Sequence, residues 1–513
     1  MTLIKQADFI QSIADALQFI SYYHPEDYIR ALATAYEKEE SPAAKDAIAQ
    51  ILTNSKMCAE GKRPICQDTG IVVAFIEIGM QVQWADDPNY AQVDIEQMVN
   101  EGVRQAYLLP DNKLRASIVA NPAGKRTNTG DNTPAVVHVS VVAGDKISVK
   151  IAAKGGGSEN KAKLAMLNPN DSIVDWILDV VPKMGAGWCP PGMLGIGIGG
   201  SAEKAMLMAK ESLMESIDIQ DLIERGAETA AEKLRVELYT KINELGIGAQ
   251  GLGGLTTVLD VKISEYPTHA ASLPVAMIPN CAATRHTHFI LDGSGPAQFE
   301  PPALSDWPDI TLQVSENTRN VNLDTITQAD IEQWQPGDTL LLSGHLLTGR
   351  DAAHKKIADL FANGESLPDG LDFNNRFIYY VGPVDPVRNE IVGPAGPTTA
   401  TRMDKYTDMM LSKTGLLGMI GKAERGPAAI KAIQDHKSVY LIAVGGSAYL
   451  VSKAIKSSRI VAFEEMGMEA IREFYIENMP VTVAVDSQGE SVHQSGPAEW
   501  KQKIADISIH RKE

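Results

Sequence analysis

Residues 65–75, ICQDTGIVVAF, place a cysteine, an amide, a carboxylate and a hydroxyl directly before a short apolar run. The run IVVAF is rich in β-branched side chains, which is typical of a buried strand. The stretch therefore predicts a strand that holds Cys66, Gln67 and Asp68 at its entrance. It leaves two interpretations of Cys66 open: a small core thiol, or part of a site that binds and converts a ligand.

Helical patterns surround this strand in the first part of the chain. Apolar residues recur at helical spacing from Phe9 to Ile20, and Ser41 followed by Pro42 is a typical N-cap and first helical position. A helical pattern also covers DIEQMVNEGVRQAYLL, and another long one runs to about residue 246. The two alternating runs of AVVHVSVVAGDKISVKIAA, joined by a glycine-containing turn, predict a β-hairpin.

The best candidate for an interdomain linker is LDGSGPAQFEPPALSDWPD, which is rich in proline and small residues. Beyond it, apolar runs such as DTLLLSGHLL and SVYLIAVGG alternate with helical patterns such as GRDAAHKKIADLFA, a rhythm typical of a compact α/β domain. We therefore predict a mixed α/β protein with an N-terminal domain over residues 1–290, a linker over 291–310 and a C-terminal α/β domain over 311–513. The N-terminal domain is expected to be mainly helical with a small sheet.

Composition excludes several classes of function. The chain has 513 residues, 44% of them hydrophobic, and a net charge of -18, which would repel nucleic acid and anionic membranes. Neither a signal-peptide pattern nor a membrane-spanning apolar stretch is visible, and four cysteines are too few for a disulfide framework. We expect a cytoplasmic protein. An anionic substrate would need a local pocket of arginines and lysines.

The string GIGIGG, Gly195–Gly200, formally satisfies the dinucleotide-binding pattern, and Asp218 follows at about the required distance. Two prolines lie just upstream, in WCPPGML, where the pattern requires a central parallel strand. The prolines argue against a nucleotide-binding fold, although a non-catalytic zinc- or nucleotide-binding protein is kept as an alternative of another class.

The four cysteines, Cys58, Cys66, Cys189 and Cys281, are too widely separated to form a local metal motif. Four buried hydrophobes would be the plain interpretation. Three of them, however, lie in irregular polar stretches: CQDTG, GWCPPG and IPNCAATRHTH. If the three loops converge, their thiolates would hold a cubane iron-sulfur cluster with one iron open to substrate, where it would act as a Lewis acid.

Cationic residues on glycine-marked stretches of the second half suggest an anion pocket. Arg350 follows HLLTG, Arg402 lies in GPTTATRMDKY, and Lys422 lies in GMIGKAERG. The segment GPAGPTT adds backbone amides and the hydroxyls of Thr398 and Thr399. Because arginine pairs with carboxylates in a bidentate manner, a small dicarboxylate is the simplest ligand for such a pocket.

The histidines are less informative. His286 and His288 share one face only on a strand, and each has a structural role as its alternative. His269 in YPTHAASLP is equally compatible with a side chain that caps a turn. The residue pattern alone leaves all three unassigned.

Several of these loops, with others along the chain, resemble the class I, iron-sulfur fumarate hydratases. The strings are CQDTG, NTGDNTPA, AKGGGSENK, GWCPPGMLGIGIGG, GAQGLGGLTTVLDVK, YPTHAASLPVAMIPNCAATRHTHF and GPTTATRMDKYTDMML. The likeness extends from the first helical region to about residue 490. It implies a two-domain class I fumarase-like architecture, a homodimer, and reversible hydration of fumarate to (S)-malate. Related tartrate and mesaconate dehydratases share these strings and are the nearest alternative.

The resemblance also implies a site. One 4Fe-4S cluster per subunit would be bound by Cys66, Cys189 and Cys281, with Cys58 as the spare cysteine. Catalytic roles fall to Asp68, which would exchange a proton with the leaving oxygen, and Thr398, which would handle the carbon-bound proton; the reverse assignment is the alternative. The implied substrate-binding residues are Gln67, Arg104, Gly156, His269, Arg350, Arg402 and Lys422. Residues next to Arg104 are alternatives for its role in substrate binding. Gly155 and Gly157 are alternatives for the role of Gly156.

Overall fold

The structure, a computed structural model, describes residues 2–85, 93–310, 312 and 318–510. Helices and strands are interspersed along the chain, which confirms the predicted mixed α/β class. Within the described ranges, no helix has the length and apolar character needed to cross a membrane. The predicted C-terminal domain begins at residue 311, which lies outside the described residues together with residues 313–317.

The helices before residue 290 follow the predicted pattern. Ser41 caps its helix through the Ala44 backbone N–H, and Pro42 is the first helical residue. The helices of this region are α1 (Gln6–Tyr22), α2 (Glu26–Lys38), α3 (Pro42–Gly61), α4 (Ile95–Leu108), α5 (Gly156–Glu159), α6 (Ile173–Lys183), α7 (Ala202–Ser212), α8 (Ile219–Arg225) and α9 (Ala230–Asn243).

Strands are more extensive in this region than the small sheet that was predicted. They are β1 (Thr2–Ile4), β2 (Ile71–Gly79), β3 (Val82–Trp84), β4 (Val119–Ala120), β5 (Thr127–Asn128), β6 (Val136–Val142), β7 (Ile147–Lys154), β8 (Lys163–Leu167), β9 (Gly192–Gly199), β10 (Val258–Tyr266), β11 (Leu273–Asn280) and β12 (His286–Leu291). Two four-stranded sheets result, with the orders β12-β7-β2-β6 and β10-β9-β11-β8. Short two-stranded pairs join β1 to β3 and β4 to β5.

The predicted hairpin between β6 and β7 is wrong. The two strands follow each other in sequence, but β2 lies between them and pairs parallel with β6 and antiparallel with β7. β2 begins with the apolar run IVVAF, and most of its residues are buried, so it takes the central position. A glycine-containing turn in the sequence indicates only that two strands follow each other along the chain. It does not exclude that a third strand lies between them in the sheet.

The structure agrees with the argument against a dinucleotide-binding loop at GIGIGG, because Gly192–Gly199 is itself strand β9. A Cβ at Gly195 would stand 2.1 Å from the Ala209 carbonyl oxygen, and one at Gly197 would stand 2.0 Å from that of Ala205. Both carbonyls belong to α7. The glycines therefore allow this helix to pack directly on the strand backbone, and they do not form a phosphate-binding loop.

After the predicted linker, the strands form one seven-stranded sheet in the order β13-β14-β15-β16-β17-β19-β18. They are β13 (Arg319–Asn322), β14 (Thr339–Thr348), β15 (Phe377–Tyr379), β16 (Gly418–Gly421), β17 (Val439–Ile442), β18 (Ile455–Ala462) and β19 (Ile471–Val485). β14 also pairs with β19, which closes a ring of strand pairings. The helices are α10 (Gln328–Ile331), α11 (Asp351–Ala362), α12 (Asp404–Thr414), α13 (Pro427–Asp435), α14 (Ala448–Ala454) and α15 (Val492–His510).

The region before residue 290 and the region after residue 318, called here the N-terminal and C-terminal regions, share buried surface. One apolar cluster joins Tyr28 and Ala282 of the former to Tyr380 and Val492 of the latter. Such a shared core fixes the ends of the strands and loops of the two regions against each other. The functional side chains described next lie along this contact.

Candidate active site

Cys66 lies between the end of α3 and the start of β2, as the sequence predicts. Its thiol is buried and lies 3.2 Å from Oε1 of Gln67. Gln67 in turn donates from Nε2 to the carbonyl oxygen of Pro397 at 3.1 Å, which reaches the C-terminal region. The first candidate ligand and its neighbour therefore lie where the two regions meet.

The loops of Cys189 and Cys281 touch each other. The carbonyl oxygen of Cys189 accepts a hydrogen bond from the Ala282 backbone N–H at 3.0 Å. Cys189 is buried and has a φ of 58°, in the left-handed region, whereas Cys281 is half-buried. Cys281 also packs against the small apolar cluster that contains Cys58 and Cys66. The fold thus gathers the three predicted ligands, and the spare Cys58 beside them.

The three thiols influence one another's pKa values. Burial raises the pKa of the Cys66 thiol to about 11, and the charge of Cys281 acts in the same direction, although Arg285 and Lys422 lower it. Burial likewise raises the pKa of Cys189, with a further contribution from Cys281. These thiols would become thiolates only beside a strong positive charge, such as a bound metal centre or nearby cations.

The donor set fits an iron-sulfur cluster. Among the described residues, no three His, Cys, Asp or Glu side chains are close enough to hold one metal ion. A cubane cluster binds each cysteine through a different iron, so its ligands stand further apart than the ligands of a single ion. Three gathered thiols match that requirement and leave one iron without a protein ligand.

Asp68 is held in place by backbone groups. Its Oδ2 accepts from the Gly156 N–H at 2.8 Å and its Oδ1 accepts from the Gly70 N–H at 3.2 Å. Burial alone would raise the pKa of this carboxyl, but Arg115, Arg285 and the Gly156 N–H together hold it below its usual value. Asp68 is therefore an ionised carboxylate beside the cysteines at neutral pH.

Lys422 and Thr398 approach from the C-terminal region. The Nζ atom of Lys422 lies 3.0 Å from the Sγ atom of Cys189. Burial would lower the pKa of Lys422, but electrostatic interaction with Cys189, Cys66 and Cys281 raises it well above its usual value. The carbonyl oxygen of Thr398 accepts from the Lys422 backbone N–H at 3.1 Å, so these two candidates occupy adjacent backbone positions.

Arg350 and Arg402 lie at the start of α11 and just before α12. Arg350 is half-buried, and its pKa falls to about 9 because of desolvation and of repulsion by Arg115 and Arg402. It forms an ion pair with Glu469. Arg402 is more exposed and pairs with Asp351, with its Nε atom 3.0 Å from Oδ1. The repulsion by Arg115 and Arg402 that lowers the Arg350 pKa indicates that the three arginines lie near one another.

Arg115 belongs to this group of arginines, although the sequence analysis missed it. It is half-buried, its Nη1 atom donates to the Gly382 carbonyl oxygen at 2.6 Å, and it is the strongest of the charged neighbours that lower the pKa of Asp68. In the stretch NKLRASIV, Arg115 has no neighbouring glycine or proline that would single it out as a candidate site residue. The only available signal was its position between a helical pattern and the next strand-like run.

Two predicted residues are not brought to the cysteines. Arg104 lies on the exposed face of α4, where it pairs with Glu101 and Asp131. His269 lies in the exposed turn between β10 and β11, and its Nδ1 atom accepts from the Ala271 backbone N–H at 3.1 Å. This is the turn-capping role that the sequence left open.

Comparison with known proteins agrees with this geometry. The family described as "Fumarate hydratase (Fumerase)" matches residues 10–290, and "Fumarase C-terminus" matches residues 293–496. The chain is 30% identical to "Fumarate hydratase class I, anaerobic" of Escherichia coli (strain K12), over 96% of this chain and 89% of the relative.

Two further relatives place the chain more finely. It is 30% identical to "Putative fumarate hydratase class I" of Geobacillus stearothermophilus, over 92% of this chain and 93% of the relative. It is also 36% identical to "Putative L(+)-tartrate dehydratase subunit alpha" of Methanocaldococcus jannaschii, over 53% of this chain and 94% of the relative. The chain belongs to the class I fumarate hydratases, a family of hydro-lyases.

Proposed function

We propose that this protein catalyses the reversible hydration of fumarate to (S)-malate. The observation that carries the proposal is the contact of Lys422 with Cys189 at 3.0 Å, because it brings a cationic side chain of the C-terminal region to one of the gathered thiols. Asp68 lies in the same place with its charge stabilised. A dicarboxylate bound there would have a proton-exchanging carboxylate beside it.

The proposed cofactor is one 4Fe-4S cluster per subunit, bound by Cys66, Cys189 and Cys281. When bound, the cluster would supply a Lewis acid at the iron that has no cysteine ligand. The chain itself supplies a buried environment with Lys422 and Arg285 as nearby positive charges. Such charges favour the thiolate form that metal binding requires.

Substrate binding falls to the cationic pocket. Arg350, Arg402 and Lys422 were expected there, and we propose that Arg115 takes the part first given to Arg104. Gln67 and the Gly156 backbone would supply further polar contacts from the N-terminal side. In the structure, Gln67 donates to the Pro397 carbonyl oxygen and the Gly156 N–H donates to Asp68. A substrate role for Arg104 and His269 stays a prediction of the resemblance.

We propose that two residues move the protons. In dehydration, a protonated Asp68 would give its proton to the hydroxyl that leaves as water, and Thr398, once its hydroxyl has lost a proton, would take the proton from the adjacent carbon. Arg402 and Lys422 would make that hydroxyl more acidic and stabilise the negative charge that develops on the carboxylate. Asp68 is ionised at neutral pH, so it can accept a proton from water in the hydration direction but must be protonated before it can act in dehydration, and the reverse assignment stays open.

The larger-scale proposals concern domains and assembly. We propose an N-terminal domain over residues 1–290, a linker over 291–310 and a C-terminal domain over 311–513, in a homodimer. Closure about the linker would bring Arg350 and Lys422 towards Asp68 around one anion. Small-angle scattering with and without malate tests the closure, and identical curves would contradict it.

One anaerobic experiment tests the central proposal. Protein purified without oxygen is assayed for fumarate by its absorbance, and iron and sulfide are counted on the same sample. We expect about four irons and four sulfides per chain, as the proposed cluster requires, together with fumarate hydration. Colourless, inactive protein without iron would contradict the proposal and favour the zinc- or nucleotide-binding alternative.

A second candidate is a tartrate or mesaconate dehydratase. The match to the tartrate dehydratase alpha subunit of Methanocaldococcus jannaschii, over about half of this chain, is the observation that favours it. The cationic pocket would hold the carboxylates of any of these substrates. A panel of fumarate, (S)-malate, L(+)-tartrate and mesaconate, compared by kcat/KM, separates the candidates, and we expect the first pair to be preferred.

A further inference from the structure

A tight turn of the C-terminal region, Gly445–Gly446, lies among the cysteine loops. A Cβ at Gly445 would stand 2.4 Å from the Sγ atom of Cys189, so the turn's backbone touches that thiol. Gly446 has a φ of 94°, and a Cβ there would stand 3.3 Å from that of Ala282, the residue after Cys281. Glycine at both positions therefore allows the turn to approach two of the three loops.

Gln250 ties this turn to the Cys189 loop. Its Oε1 accepts from the Gly445 N–H at 2.8 Å, and its Nε2 donates to the Gly445 carbonyl oxygen at 3.2 Å. The same Nε2 donates at 2.9 Å to the carbonyl oxygen of Pro190, which directly follows Cys189. The Gln250 backbone N–H donates to that carbonyl as well, at 2.8 Å. One buried residue thus holds both the loop and the turn.

Asn54, on α3, makes the equivalent connection to the Cys66 loop. Its Nδ2 donates at 3.1 Å to the carbonyl oxygen of Ile65, the residue before Cys66, and at 3.0 Å to that of Gly446. Its Oδ1 accepts from two backbone N–H groups at the start of α14, at 2.8 and 2.9 Å. Asn54 is fully buried, so water cannot replace any of these partners.

We infer that Asn54 and Gln250 are positioning residues for the three-thiol site, because they hold the Gly445–Gly446 turn against the loops of Cys66 and Cys189. A buried amide that binds several backbone groups at once specifies one geometry and is costly to disrupt. The C-terminal region therefore shapes the thiol site and does not merely cover it. The link to a bound cluster rests on the proposed function, whereas the contacts themselves do not.

Isosteric acids test the two amides. Asn54→Asp and Gln250→Glu keep the shape and the acceptor oxygen but remove the N–H donors that reach Ile65 and Pro190. Asn243→Asp is the matched control, since Asn243 binds the backbone of Thr257 and Val258 in the same manner and touches no cysteine loop.

The first measurement needs no cluster. Full-length protein freed of iron is alkylated without oxygen, and the rate at each cysteine is read by peptide mass spectrometry. Buried thiols react through local opening, so we expect about a tenfold faster reaction at Cys66 in Asn54→Asp and at Cys189 in Gln250→Glu, the factor that one lost buried hydrogen bond brings. Asn243→Asp should match the wild type. Equal acceleration at all cysteines, or none, would overturn the inference.

The second measurement uses the iron-loaded protein. Iron release to a chelator and the electron paramagnetic resonance spectrum of the dithionite-reduced protein are compared, and we expect faster release and a changed spectrum in both acid variants only. Unchanged release and spectra would overturn the inference, whereas wild-type protein without iron would instead contradict the proposed cluster. If the acid variants do not fold, Gly445→Ala asks the same question, with Gly124→Ala as control because its Cβ would meet nothing closer than 3.7 Å.

Discussion

At the scale of single residues, the site depends on charges that compensate one another in a buried space. Asp68 keeps its charge because Arg115, Arg285 and the Gly156 N–H outweigh the cost of burial. Arg350 shows the opposite balance, since burial and neighbouring arginines bring its pKa down to about 9. A bound dicarboxylate would relieve that repulsion, which is a physical reason for the pocket to bind one.

Thr398→Ala tests the proposed proton transfer at carbon. Removing the hydroxyl should lower kcat about 10²-fold or more, the usual contribution of a positioned acid or base. Exchange of the carbon-bound proton of malate with deuterated solvent should slow to the same extent, measured by nuclear magnetic resonance. Exchange as fast as in the wild type would remove Thr398 from this role and favour the reverse assignment with Asp68.

Arg115→Ala and Arg104→Ala distinguish the two arginine assignments. Loss of a charged hydrogen bond to a substrate carboxylate costs about 1.5–3 kcal/mol, which raises KM about 10- to 100-fold. We expect this increase for Arg115→Ala, while Arg104→Ala should leave KM within about twofold because surface ion pairs contribute little. The opposite result in steady-state kinetics would restore Arg104 to the substrate pocket.

At this scale, the sequence marks candidates where residues have a distinctive context. Cys66, Cys189 and Cys281 were singled out because their loops are irregular and rich in glycine, proline or polar residues, and the structure brings these loops together. Arg115 has no such neighbours, and its importance depends on a long-range contact with Asp68 that local spacing does not contain. For the same reason, the sequence does not single out Asn54 and Gln250, since their hydrogen-bond partners Gly445 and Gly446 lie far away in the chain.

At the scale of elements, the sequence predicted which stretches are regular better than how they pair. The alternation of β6 and β7 was correctly assigned to strands, yet β2 inserts between them. The glycine-rich β9 was taken for a loop, because glycine is depleted in most strands. Here the close packing of α7 on the strand backbone compensates for the missing side chains. That contact is visible only in the three-dimensional structure.

Gly197→Ala tests that explanation of β9. The added methyl group would meet the Ala205 carbonyl of α7 at 2.0 Å, so the helix has to shift. Overpacking of this kind costs about 1–3 kcal/mol or more. We expect a lower midpoint of chemical unfolding than in Gly124→Ala, which changes an open surface turn. Equal midpoints would show that α7 does not pack on the strand as described.

At the scale of the whole molecule, buried histidines couple stability to pH. Burial lowers the pKa of His24 to about 3 and that of His286 and His354 to about 4. Each remains neutral in the folded protein but binds a proton near pH 6.5 when unfolded. Their contribution to stability is therefore fully present above pH 6.5 and is lost as pH falls towards 4.

Unfolding by urea at several pH values measures this coupling. We expect the free energy of unfolding to fall steadily between pH 6.5 and 4.5, and the fall to be shallower in His354→Gln, which has no ionisable ring. His345→Gln is the control, because His345 lies on the surface beside Asp324. A flat profile between these pH values would mean that the three rings are not buried in neutral form.

The Gly445–Gly446 turn also has a consequence for the order of events during synthesis. All three cysteines of the site leave the ribosome before the turn has been translated, with an interval on the order of ten seconds between Cys281 and Gly445 at common elongation rates. During that interval the thiols lack the backbone that completes their surroundings. A nascent chain therefore cannot offer a finished three-thiol site, and loading of the proposed cluster would have to wait until translation is nearly over.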